Sequence, residues 1–169
     1  MKKRSLLLTA ATVVMAALFA ATLIYAGAEV KDIIELKDPA YEKHKKGVVQ
    51  FEHKKHHDDY AKKYPEFYKN KCGECHHDKD NKPLSGLKAG DNVQKCIECH
   101  KIAAEMPKKD VKAMRDKKAS KKEIKSKKLE YHAEALHDNC RGCHRLYNKK
   151  YNPQEKAPTT CVTCHPKTN

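Results

Sequence analysis

Hydrophobic residues form one long run at the start of the chain and are sparse after it. The run extends from Leu6 to Ile24, behind the positive start Lys2-Lys3-Arg4 and ahead of the small-residue triplet Ala26-Gly27-Ala28. This order of a charged start, an apolar run and a small-x-small site is typical of a secretory signal. We predict cleavage after Ala28, which leaves 29–169 as the mature chain. The alternative is an uncleaved anchor, because the run approaches the about 20 residues that span a bilayer.

Beyond the signal, the pattern predicts few regular elements. Residues 48–51 form a short strand-like run. Residues 58–71 mix aromatic residues with lysines and contain a proline, which predicts a loop or short helical turns. Turn-forming residues in 81–86 and in 152–158 predict two further loops. Short elements joined by loops are therefore expected.

A lysine-rich block occupies residues 107–129. Its apolar positions are few: Val111 and Met114 are three residues apart, and Ile124 and Leu129 are five apart. Such a thin apolar stripe is typical of a solvated segment rather than of a helix packed in a core. We interpret the block as a partly helical linker. The alternative is a docking patch for an acidic partner.

The composition of the mature chain does not favour a core built from protein alone. Tryptophan is absent, much of the apolar content lies in the signal, and Lys, Asp, Glu and His dominate the remainder of the chain. Such a composition favours disorder unless another component supplies apolar mass. The chain contains eight cysteines and eleven histidines, which suggests that a cofactor replaces the missing core.

The cysteines carry the clearest motif of the chain. All eight fall into pairs separated by two residues, and each pair is followed at once by histidine. The four units are Cys72, Cys75 and His76; Cys96, Cys99 and His100; Cys140, Cys143 and His144; and Cys161, Cys164 and His165. Cys-x-x-Cys-His is a c-type haem attachment motif, in which the thiols form thioethers with the porphyrin and the histidine ligates iron.

Zinc sites and disulfides are the alternatives to haem. Zinc binds pairs of Cys-x-x-Cys but does not require a histidine directly after each pair. A disulfide within such a pair would close a very small strained ring, although an exported chain could form one. The four motifs therefore predict four covalent haem c groups with their iron.

The other histidines indicate the type of haem. Seven lie outside the motifs: His44, His53, His56, His57, His77, His132 and His137. Four of them are enough to close the second axial position of every iron. Two imidazoles leave no open site for oxygen or substrate and favour electron transfer. Since the mature chain offers only Met106 and Met114 as thioether ligands, we expect bis-histidine ligation and low potentials.

At this point the sequence resembles the class III c-type cytochromes, the tetrahaem cytochrome c3 group of sulfate-reducing bacteria. The resemblance spans 47–165 and rests on Val48-Val49 with Phe51, on His53-x-x-His56, and on the run Cys72-Gly73-Glu74-Cys75-His76-His77. It implies a mainly helical fold with much loop and a short N-terminal β element. That fold would wrap around four clustered haems, with Phe51 packed between haems.

The resemblance also implies which histidine opposes each motif histidine. The implied pairs are His53 with His76, His77 with His100, His56 with His144, and His137 with His165. Two departures leave alternatives open. His57 lies beside His56, so their roles could be exchanged, and His132 competes with His137 for the fourth iron. The intervals from His56 to Cys72 and before His132 are longer than in the family.

The function expected from these features is electron transfer in the periplasm rather than catalysis. The family's usual partners are hydrogenases and membrane-bound redox complexes. The formal net charge of +14 includes three positive charges of the signal, which leaves +11 on the side chains of the mature chain. Haem propionates would offset much of this charge, and the modestly positive remainder suits partners with acidic surfaces or an anionic membrane, whereas export excludes nucleic acid. Membrane contact is otherwise expected only if the N-terminal segment stays uncleaved. The alternatives are a subunit of an extracellular or membrane-attached haem conduit, and a multihaem reductase of metal ions or small anions.

Overall fold

A computed structural model describes residues 31–44 and 46–166. The predicted signal and its cleavage site lie outside these residues. One compact unit runs from Lys31 to Lys88 and from Val93 onward, and the loop Ala89–Asn92 does not belong to it. Within the described residues, no helix has the length and apolar character needed to cross a membrane.

The N-terminal β element is a two-stranded antiparallel ribbon. Strand β1 (Ile34–Glu35) pairs with β2 (Gln50–Phe51), with Ile34 opposite Phe51. The backbone N–H of Leu36 donates to the carbonyl of Val49 at 2.9 Å and extends the pairing. The strand-like pattern of residues 48–51 predicts β2, but the sequence does not predict β1. The ribbon places His53 two residues beyond the end of β2.

Short helical turns come after the ribbon, as the mixed pattern of residues 58–71 predicts. A π-helical segment (Lys55–Tyr60) runs into α1 (Ala61–Lys63), and 3₁₀ turns follow at Pro65–Phe67 and Lys71–Glu74. The proline begins the first 3₁₀ turn, where its missing N–H breaks no helical bond.

These turns are held by aromatic packing against a later helix. The ring of Tyr64 lies 5.0 Å from that of Tyr147 and 5.2 Å from that of Tyr151. The hydroxyl of Tyr147 donates to that of Tyr64 at 3.1 Å. Lys150 also forms an ion pair with Glu66 at 2.5 Å. The long interval before the first cysteine pair is therefore an anchored part of the fold.

The lysine-rich block folds into two helices. Helix α3 (Lys108–Asp116) and α4 (Lys121–Lys128) follow α2 (Cys96–Cys99), and a capping box at Ser120 starts α4. The Ser120 hydroxyl accepts from the backbone N–H of Glu123 at 3.2 Å, and the Glu123 carboxylate accepts in return at 2.6 Å. The prediction of a partly helical segment agrees with this hairpin of α3 and α4.

The hairpin is tied to the long helix α5 (His132–Tyr151) by ion pairs. Lys125 lies 2.9 Å from Asp138, and Lys128 lies 2.7 Å from Glu134. Helix α5 ends at Tyr151, and the capping residue Asn152 adopts φ 41° in the left-handed region common at helix C-termini. The resemblance implies a mainly helical fold, but the residues alone do not predict a helix here. The fourth motif forms the last helix, α6 (Cys161–Cys164).

Few side chains in the described residues are buried. Met106, at 6% exposure, is the buried hydrophobic residue, and His132, at 7%, is the buried polar one. Burial of apolar area is the dominant favourable contribution to folding. The described residues on their own therefore contribute little of this apolar burial, as the composition predicts.

Candidate haem-binding site

Each Cys-x-x-Cys-His motif is wound into one helical turn. The histidine N–H donates to the carbonyl of the first cysteine at 2.9 Å in the first two motifs and at 2.8 Å in the fourth. The third motif lies inside α5, where the same spacing is helical. Residues three and four apart share one helix face. The two thiols and the following imidazole of each motif therefore face the same side, as attachment to one porphyrin requires.

Backbone carbonyls orient three of the four motif histidines. The Nδ1 atom of His144 donates to the carbonyl of Pro158 at 2.7 Å, and that of His165 to the carbonyl of Gly47 at 2.8 Å. His100 donates in the same way to Leu129. A proton held on Nδ1 leaves Nε2 unprotonated and able to bind a metal. The carbonyls thus fix both the tautomer and the ring direction.

Each of the four histidine pairs implied by the resemblance is brought together in space. The ring centres of His53 and His76 are 6.4 Å apart, and those of His77 and His100 are 6.0 Å apart. The separation is 6.1 Å between His56 and His144, and 6.3 Å between His137 and His165. The two members of each pair are far apart in sequence, so the fold and not the local chain brings them together.

These separations match two imidazoles on opposite sides of one metal ion. A metal–nitrogen bond of about 2.0 Å and about 1.1 Å from nitrogen to ring centre place opposed rings about 6.2 Å apart. Two of the opposing histidines also donate Nδ1 to a carbonyl: His56 to Glu52 at 2.9 Å and His77 to Asp78 at 2.8 Å. Nδ1 of His53 is buried without a hydrogen-bond partner. These side chains fit a planar iron group between each pair of rings.

The remaining histidines have other surroundings. His57 donates through Nδ1 to the carboxylate of Asp58 at 2.9 Å, and its ring stacks against that of His53 at 6.5 Å. His132 is bonded to the hydroxyl of Tyr41 at 3.0 Å, and His44 stacks on the same tyrosine at 5.5 Å. Among the described residues, none of these three histidines has a ring contact with a motif histidine.

Burial favours the neutral form of several paired imidazoles. Desolvation lowers the pKa of His53, His76, His137 and His144, and neighbouring histidines lower the pKa further in His53 and His76. The neutral imidazole is the form that ligates a metal. The fold therefore disfavours protonation at the positions where ligation would require an unprotonated nitrogen.

Cysteines from all four motifs are neighbours in space. Burial, together with the nearby thiols of Cys140 and Cys143, raises the pKa of Cys75 to about 12. Burial likewise raises the pKa of Cys140 to about 11, with contributions from Cys164 and Cys96. Electrostatic effects of this kind act over short distances. The porphyrin edges attached at these positions would therefore lie close together.

The arrangement of the cysteine, histidine and carboxylate side chains gives little support to zinc sites or disulfides. No disulfide joins any of the eight cysteines in this structure. Across residues 31–44 and 46–166, no group of three or more His, Cys, Asp or Glu side chains has an arrangement that could hold a metal ion. A structural zinc site would need four such donors around one point. The pairs of histidines, with space between them, suit a group that brings its own four equatorial nitrogens.

Aromatic side chains surround the first and third histidine pairs. Phe51 lies 5.7 Å from His53 and 4.8 Å from His56, so it contacts one member of each pair, as the resemblance implies. Tyr60 packs edge-on against His56 at 5.2 Å. The sequence analysis did not predict that Tyr60 packs against His56. The signal for this contact is the spacing, since a tyrosine four residues after a histidine lies on the same face of a helical segment.

A known protein family matches most of the chain. The model of a family described as Class III cytochrome C matches residues 30–165. No curated protein and no solved structure matches this chain significantly.

Proposed function

Because the chain belongs to the class III cytochrome c family, whose members hold covalent haem c and transfer electrons, we propose that it binds four haems and carries electrons between redox proteins. The observation that carries this proposal is the separation of 6.0 to 6.4 Å in four histidine pairs, each containing one motif histidine. The predicted export signal supports a periplasmic location.

Each haem is assigned two cysteines and two histidines. The first haem takes His76 and His53, the second His100 and His77, the third His144 and His56, and the fourth His165 and His137. Bound haem iron supplies one-electron chemistry. The cysteines fix each porphyrin covalently, and the carbonyls of Leu129, Pro158 and Gly47 hold three ligand rings in place.

The histidine pairs favour a carrier over a reductase. An enzyme acting on a metal ion or small anion needs an iron with a free or weakly held coordination position. Two imidazoles about 6 Å apart would hold an iron between them and leave it no such position. We therefore assign no catalytic residue, and we expect hydrogenase or a membrane-bound redox complex as electron donor or acceptor.

Four haems per chain are expected in the mature protein. The reason is that all four motifs adopt the same helical turn and each has an opposing histidine. A pyridine haemochrome assay combined with intact-protein mass should give four covalent haems. Two or fewer haems on a fully matured chain would contradict the assignment.

The hairpin of α3 and α4 carries a dense group of exposed lysines. Lys125, Lys127 and Lys128 form ion pairs within the protein. Among the described residues, none of the other lysines of the hairpin is in an ion pair: Lys108, Lys109, Lys112, Lys117, Lys118, Lys121 and Lys122. Unpaired exposed charges act at long range and steer encounter. The hairpin therefore suits the approach of a partner with an acidic surface.

Association with an acidic redox partner should slow as salt is added. Exposed charges are screened beyond about 10 Å at 0.1 M salt, so steering by the hairpin should weaken. In stopped-flow measurements with a hydrogenase, replacing Lys117, Lys118 and Lys121 with glutamate should lower the association rate about tenfold and flatten its salt dependence.

A matched control keeps the number of reversed charges but moves them. Replacing Lys79, Lys82 and Lys101 with glutamate alters exposed lysines outside the hairpin. This control should change the association rate much less than the hairpin variant does. Equal effects of the two variants would show that only net charge matters, and a rate independent of salt would remove any role for the basic surface.

A further inference from the structure

An exposed apolar patch lies at the C-terminal half of α5. Leu146 is 60% exposed on a helix that packs elsewhere through tyrosines. Leu146 borders a shallow depression of about 350 Å³ together with Phe67, Lys149 and Lys150. We call these four residues the Leu146 patch. Its apolar centre is bordered by two cations, of which Lys150 is paired with Glu66.

A second exposed patch has the opposite charge. Ile33 is 52% exposed and lies at a depression of about 250 Å³. The depression is lined by Asp32, Ile33, Glu52, Lys54, Lys55, Asp58 and Asp59, which we call the Ile33 patch. Lys54 and Lys55 are offset by ion pairs with Asp32 and Glu52. The charges of Asp58 and Asp59 therefore make this patch acidic.

The two patches complement each other in charge and in apolar character. The two depressions have no lining residue in common, so one molecule can offer both patches to other molecules at the same time. An apolar centre with a charged border is the usual composition of a protein–protein contact. Contact between two Leu146 patches would oppose lysines to lysines, and contact between two Ile33 patches would oppose carboxylates to carboxylates. Only the unlike pairing brings opposite charges together.

We propose that the Leu146 patch of one chain docks on the Ile33 patch of a second copy of the same chain. The contact is heterologous, because it joins two different surfaces. The functional meaning of this contact rests on the electron-transfer role proposed above. Leu146 follows the motif histidine His144 by two residues, and the Ile33 patch contains the neighbours of His53 along the chain. Docking would bring the third haem of one copy towards the first haem of the next.

Paired variants test the contact in the matured protein. One variant, Leu146→Glu with Lys149→Glu, disables only the Leu146 patch. The other, Ile33→Lys with Asp59→Lys, disables only the Ile33 patch. None of these residues is assigned to haem binding. Sedimentation from about 1 µM to about 1 mM protein should show the mass of the unchanged chain rising with concentration, whereas each variant alone should stay monomeric.

Mixing the two variants gives the decisive result. Each variant keeps the patch that the other lacks, so an equimolar mixture should form pairs of chains and no larger species. A control variant, Val93→Glu with Lys95→Glu, changes another exposed apolar residue (43% exposed) near a lysine. The control should associate like the unchanged chain.

Three results would overturn the contact: a monomer at every concentration, an oligomer that neither variant disrupts, or a variant mixture that stays monomeric. Haem content and spin state are measured on the same samples. Four low-spin haems in a strictly monomeric protein would refute the self-contact and leave the carrier function intact. Association without the expected haems would refute the carrier function instead.

Discussion

Replacing His77 with alanine should turn one haem high-spin and leave the other three unchanged. His77 lies directly after the motif histidine His76, yet its ring is 6.0 Å from His100 and that of His76 is 6.4 Å from His53. Side chains of adjacent residues point about 100° apart on a helix and to opposite faces on a strand, so His77 cannot reach the free face of the iron that His76 would ligate. The second iron should lose its distal ligand and bind carbon monoxide, changing about a quarter of the haem spectrum.

Electron paramagnetic resonance and carbon monoxide titration measure this change, and His57→Ala is the matched control. His57 is a histidine that faces no motif histidine in the described ring contacts, so its removal should leave all haems low-spin. If the His77 variant remains fully low-spin, the pairing of His77 with His100 is wrong. His57 or His132 would then become the better candidate for that iron.

Expression without c-type haem maturation should yield a chain that does not fold cooperatively. Apart from the glycines Gly47 and Gly73, only Met106 and His132 are buried among the described residues, so the polypeptide by itself offers little hydrophobic stabilisation against chain entropy. Circular dichroism should show far less helix than in the matured protein, and limited proteolysis should cleave α5. Thermal unfolding should lack a sharp transition.

A chain with one motif removed separates the contributions of individual haems. Replacing Cys161 and Cys164 with serine should leave three haems and a weakened fold, because only the fourth attachment is lost. A haem-free chain that is protease-resistant and melts cooperatively would show that protein contacts suffice, and the haems would then not act as the core.

The sequence predicts the chemistry of the site better than it predicts the helices and long-range contacts that position the site. The four Cys-x-x-Cys-His units are local, so their helical turns follow from spacing alone. The strand-like pattern before Phe51 predicts β2, and the family resemblance implies the histidine pairs that the structure brings to about 6 Å. The assignment of each pair to one iron stays a prediction, which the His77 variant tests directly for the second haem.

The rest of the framework depends on long-range contacts that no local pattern contains. The half-buried positions of helix α5 include cysteines, histidines and a tyrosine beside a few aliphatic residues, so its sequence lacks the continuous aliphatic stripe that marks a core helix. The carbonyls that orient His144 and His165 belong to Pro158 and Gly47. Backbone groups are the same at every residue, so sequence does not distinguish these two.

Helix α5 also limits how this chain could change in length over evolution. His137 and His144 are the proposed ligands of different irons, and they lie seven residues apart on one helix, a distance of about 10.5 Å along its axis. One residue inserted between them would rotate one ligand by about 100° relative to the other and shift it by about 1.5 Å. Insertions should therefore be tolerated before His132 or after Tyr151, while the interval between the two histidines keeps its length.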